Sequence, residues 1–103
     1  MAFLKKDIDF WAKKVNYSLD NTYIGIMQYD MKDYDNALKS LKEAELYCTN
    51  DNVKNLIVGY LALTYFEKQM YREALPYLKQ ALTLCPTYPD LLEKYNYCLS
   101  VAG

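Results

Sequence analysis

The side chains that usually carry catalysis or hold metals are sparse in this chain, and their spacing suggests no reaction. There is no histidine, which removes the commonest general base, the commonest metal ligand and any Ser/His or Cys/His dyad. The three cysteines, Cys48, Cys85 and Cys98, lack CxxC spacing and make no zinc site. No P-loop or GxGxxG stretch could cradle a phosphate. Carboxylates are plentiful, but nothing in their pattern nominates a pair for acid–base work. The expectation is a protein that is not an enzyme, with no cofactor and no metal.

Composition narrows the class further. The chain has 103 residues, 52% of them apolar, with only three glycines and three prolines. That suits one small, all-helical globular domain rather than disorder. Net charge is −1, running +2 through Lys14, −4 to Val53, +2 to Pro86 and −1 thereafter. No segment forms a phosphate-binding stripe, so nucleic acid is not the expected partner. No apolar run approaches the ~20 residues of a membrane span. Charges at Lys5, Lys6 and Asp7 interrupt what would be the apolar core of a signal peptide, so a cytoplasmic protein is expected. In a reducing compartment the cysteines are free thiols, and the sequon Asn16-Tyr17-Ser18 carries no meaning.

The elements that would position a site come from an internal repeat. A shift of 37 residues, carrying Ala37 onto Ala74, lays one half of the chain over the other. Tyr23 meets Tyr60, Ile24 meets Leu61, Gly25 meets Ala62, Ile26 meets Leu63 and Tyr29 meets Phe66. Further on, Tyr34 meets Tyr71, Leu38 meets Leu75, Leu41 meets Leu78, Ala44 meets Ala81 and Cys48 meets Cys85. Small residues recur where two helices must approach closely, and large ones recur between them, as close packing requires. Self-similarity at such a period marks stacked helical hairpins, which build surfaces rather than reaction pockets. Cys48 and Cys85 would then sit on successive hairpins, with helix axes ~8–10 Å apart, which disfavours a disulfide between them.

The pattern resembles the tetratricopeptide repeat family. The second copy carries its motif through Leu61-Ala62, Tyr65, Tyr71, Ala74, Leu78, Ala81 and Pro86. The first copy matches through Ile24-Gly25, Tyr34, Ala37, Leu41 and Ala44, and departs at Asn21, Gln28 and Thr49. The spacing exceeds the usual period by about three residues, which places extra length in the Thr49–Asn52 loop. The implied fold is an all-α right-handed superhelix of helical hairpins with about six helices. Its expected parts are an N-terminal helix at 3–15, repeats at 19–48 and 53–86, and a capping helix at 88–100. Val53 to Lys68 is apolar on nearly every side and should be the middle of the stack.

The N-terminal segment leaves more than one reading open. Leu4, Ile8, Trp11 and Val15 form an apolar stripe among Lys5, Lys6, Lys13 and Lys14. The helix could fold back as a cap, exchange with a second chain, or offer its basic face to a membrane or partner. With no proline or glycine between Val15 and Tyr23, an uninterrupted helix from Phe3 to Met31 is the further alternative.

The resemblance also implies a site. In this family the wall lined by the first helix of each hairpin binds extended peptides or helices. Its groove positions fall on Thr22, Ile26, Tyr29 and Asp30, then on Gly59, Leu63, Phe66 and Glu67, with Glu93 and Tyr97 from the last helix. The Lys, Arg and Asn that clamp a C-terminal carboxylate in one subclass are missing from these places. What remains is an apolar, aromatic floor with an acidic edge at Asp30, Glu67 and Glu93. Such a floor suits an amphipathic helix with basic flanks, bound by an adaptor or chaperone. The alternative is a homodimer or larger homo-oligomer, assembled through this wall or by exchange of the N-terminal helix.

Overall fold

A computed structural model describes the backbone of residues 5–84 and 89–102, and side chains within that range apart from 5–12, 15 and 89. The stripe of Leu4, Ile8, Trp11 and Val15, the Cys85 thiol and Pro86 lie outside the described side chains. Among the described residues there are five helices and no strand: α1 Lys5–Asp30, α2 Tyr34–Tyr47, α3 Asp51–Glu67, α4 Tyr71–Leu84 and α5 Pro89–Ala102. They follow one another as antiparallel neighbours in a body 52 × 28 × 20 Å across.

The expected count of about six becomes five because the anticipated loop at Asn16–Ser18 is helical. The N-terminal segment does not turn back to cap the stack; it is the first half of α1. Nothing in Val15–Tyr23 breaks a helix, and Ser18, Thr22 and Gly25 keep the seam against α2 in register. The Ser18 hydroxyl donates to the Ala44 carbonyl at 2.6 Å and Thr22 to the Ser18 carbonyl at 2.8 Å, so both buried hydroxyls are satisfied.

Small residues on this seam let the helices meet. Ala37, Leu41 and Ala44 of α2 and their counterparts Ala74, Leu78 and Ala81 of α4 are all buried. Ile57, Val58, Leu61, Ala62 and Tyr65 of α3 lie between α2 and α4 in the same core. The apolar α3 is thus the middle of the stack, and α5 closes it against α4 with Leu91 and Cys98.

The two hairpins turn in the same way. Lys32 (φ 63°) and Gln69 (φ 61°) both sit in the left-handed region. Asp33 N–H bonds the Gln28 carbonyl at 2.8 Å and Met70 N–H the Tyr65 carbonyl at 2.9 Å. Lys32 N–H bonds Tyr29 O and Gln69 N–H bonds Phe66 O, each at 2.9 Å. These bond pairs define a Schellman motif, which satisfies carbonyls that a helix end would leave without partners.

Other ends are fixed by different means. The Asn50 side chain accepts from Asn52 and Val53 N–H at 2.9 and 3.1 Å and caps α3. Lys42 donates to the Tyr77 hydroxyl at 2.7 Å, which in turn donates to Glu45 at 3.2 Å, tying α2 to α4. Lys68, just past α3, pairs with Asp35 at the start of α2. Pro76 lies in the second turn of α4, one turn deeper than the position where its missing N–H costs nothing.

Candidate protein-binding surface

The side formed by α1, α3 and α5 is built on tyrosine and phenylalanine. Tyr29 packs against Tyr34 (5.6 Å between ring centres) and against Tyr60 (5.4 Å). Phe66 packs against Tyr71 (5.4 Å) and Tyr97 (5.8 Å), and these two tyrosines meet at 5.1 Å. Each triad takes one ring from the end of a first helix, one from the start of the second, and one from the next hairpin's first helix. The second triad is the first moved on by 37 residues, Tyr29, Tyr34 and Tyr60 becoming Phe66, Tyr71 and Tyr97. The edge-on and tilted geometries are the preferred ones for aromatic pairs.

This repetition shows that α5 is a third first-helix in register with α1 and α3. Tyr23, Tyr60 and Tyr97 hold equivalent places, as do Ile24, Leu61 and Cys98. The triads are the part of the surface that the groove positions alone miss, since Tyr34, Tyr60 and Tyr71 are not among them. The signal was present: the spacing from Tyr23 to Tyr60 recurs once more at Tyr97.

The groove positions divide by burial. Thr22 is fully buried, its hydroxyl spent on the Ser18 carbonyl, so it offers no surface to a ligand. Ile26, Tyr29, Leu63 and Phe66 are half-buried, while Asp30, Glu67, Glu93 and Tyr97 are exposed. Gly59 is half-buried with open space over it, since an added Cβ would meet nothing within 4 Å. Phe66 and Tyr97 come into contact directly. Tyr29 is near enough to Glu67 for the carboxylate to act on it: its hydroxyl pKa is pushed up to about 12, by burial first and then by Glu67.

Asp30 and Glu67 end α1 and α3 at the same repeat position and give the surface an acidic margin. Among the described residues, Lys94 sets a cation over these rings, 5.2 Å from the centre of Phe66. A separate open hollow between α1 and the α2–α3 loop is lined by Leu19, Cys48, Thr49, Asn50 and Val53, with no titrating acid or base beyond the thiol. Among the described residues no group of three or more Cys, Asp or Glu could hold a metal ion. No helix among them is long and apolar enough to cross a membrane.

The tetratricopeptide repeat family model matches residues 58–88, the span of most of α3 and all of α4. The matched unit is similar to a tetratricopeptide repeat, and the first hairpin repeats its residue pattern at a shift of 37. Repeats of this family are generally protein–protein interaction modules and typically not enzymes. No curated protein and no solved structure matches the chain.

Proposed function

We propose that this chain is an adaptor or chaperone-like module that holds an amphipathic helix or extended segment of another protein along the α1–α3–α5 side. The observation that carries this reading is the pair of aromatic triads along α1, α3 and α5, together with open space over Gly59 and exposed carboxylates at Asp30, Glu67 and Glu93. Ile26 and Leu63 supply aliphatic floor, Tyr29, Phe66 and Tyr97 supply rings, and the carboxylates favour basic flanks on the ligand. Each Leu- or Phe-sized anchor is worth roughly 1.5–3 kcal/mol on burial, so a few suffice for micromolar binding after association costs. Thr22 plays no part in contact. A cytoplasmic setting suits the free thiols of Cys48 and Cys98.

A panel of helical peptides with matched apolar faces and either basic or acidic flanks tests this by fluorescence anisotropy. Basic flanks should bind and acidic ones should not, and Leu63→Glu should weaken binding at least tenfold with the helical circular dichroism unchanged. Equal binding by both peptide classes, or by Leu63→Glu, would remove the assignment.

The unbroken α1 supports a second reading, a homo-oligomer formed by exchange of this arm. α1 has 26 residues against 14 in α2. Lys14 and Tyr17 lie level with the end of α2, at the Tyr47 ring. Residues 5–13 therefore continue past α2, and could reach the same side of another copy.

A further inference from the structure

The register that links α1, α3 and α5 also shows what α1 lacks. Leu61 of α3 is fully buried, whereas its counterpart Ile24 is 43% exposed. Thr64 is fully buried, and its counterpart Met27 is 59% exposed. Tyr60 and Tyr97 each lodge against the preceding hairpin's rings; Tyr23, at the equivalent place, is exposed and has no preceding hairpin among the described residues. Met31 extends the same strip at 74% exposure. The face of α3 that α2 covers is therefore open on α1, as a stripe of Tyr23, Ile24, Met27 and Met31.

The charge along α1 indicates what covers it. Exposed Lys13 lies on this face toward the N-terminal end, about three helical turns before Ile24. At the other end, in the turn, stands exposed Asp33. An antiparallel pair of α1 helices crossing near Ile24 would set Lys13 of each beside the acidic turn of the other. It would also bring exposed Tyr17 opposite Met31 of the second copy. A two-fold interface must be complementary to itself, and the approach of Lys13 to Asp33 meets that condition. Exposed Asp20, one turn before Ile24 on the same face, adds a charge that the interface must keep solvated. The tail of the stack is a poorer occupant: both ring pairs that receive a tyrosine are already filled, by Tyr60 and Tyr97.

We infer that a second copy of this chain docks on the outer face of α1, antiparallel about Ile24, to give a two-fold dimer that leaves the α1–α3–α5 side open. The inference does not depend on the peptide-binding reading, because the two use different faces.

Sedimentation equilibrium over a wide concentration range tests it. The expected result is a reversible monomer–dimer equilibrium. Met27→Glu, at an exposed site, should raise the dimer dissociation constant at least about tenfold. Lys13→Glu should raise it severalfold, and Lys39→Glu, on exposed α2 surface, should leave it unchanged. Leu63→Glu should also leave it unchanged, which separates this face from the peptide site and from exchange into it. A monomer at all concentrations, open-ended growth beyond dimers, or a dimer indifferent to both Met27→Glu and Lys13→Glu would overturn the inference.

Discussion

Gly25 and Leu41 meet so closely that a β-carbon at Gly25 would lie 2.7 Å from Leu41 Cγ and 3.3 Å from the Leu41 amide nitrogen. Leu41 is fully buried and cannot move aside. This contact sets the distance between α1 and α2, and Ala62 holds the equivalent place in α3. Gly25→Ala should therefore destabilise the fold by about 1–3 kcal/mol despite the better helix propensity of alanine, measured by urea unfolding.

Gly59 is the contrasting case. It is helical too, but nothing lies within 4 Å of its missing β-carbon. Gly59→Ala should stabilise the chain by up to about 1 kcal/mol while weakening peptide binding, because the methyl takes up ligand space. Opposite signs in stability and affinity from one substitution would distinguish a contact surface from plain core.

Lys32 and Gln69 occupy a left-handed backbone region that costs a side chain roughly 1–2 kcal/mol. Glycine removes that cost but adds freedom to the unfolded chain. Lys32→Gly and Gln69→Gly should each raise stability by about 0.5–1 kcal/mol, seen as a higher denaturation midpoint at unchanged slope.

Asn50 accepts two N–H groups at the start of α3. Asn50→Ala should cost about 1 kcal/mol. Hydrogen exchange should quicken first at Asn52 and Val53, the two donors that lose their partner.

Tyr29 titrates upward, from 10.0 to about 12, because burial and Glu67 both oppose its anion. The folded state holds this proton more tightly than the unfolded chain does. The associated stability is fully present below pH 10 and is lost as pH rises toward about 12. Melting temperature should fall across that window, and Tyr29→Phe should flatten the fall.

Much of this architecture was legible from the spacing of small residues. Ala37, Ala44, Ala74 and Ala81 are buried where the 37-residue shift puts them, and the apolar α3 is central. Continuity of α1 was harder to see, because a polar Asn16-Tyr17-Ser18 reads as a loop until Ser18 is found bonded to Ala44. The turns were hidden for a related reason: lysine and glutamine give no left-handed signal where glycine would. Thr22 was misleading because a family groove position says nothing of burial, and here the hydroxyl serves its own helix. The triads escaped because the tyrosines were matched in pairs, and the third copy in α5 retains little else of the pattern.

The central claim is that the α1–α3–α5 side, with Gly59 at its middle, receives a basic amphipathic segment. Amide chemical-shift mapping with such a peptide tests it most directly. The account predicts saturable shifts centred on Ile26, Gly59, Leu63, Phe66 and Tyr97, with α2 and α4 little affected. Shifts centred on Lys42, Glu45 and Tyr77 across the α2–α4 face, or none at millimolar peptide, would contradict it.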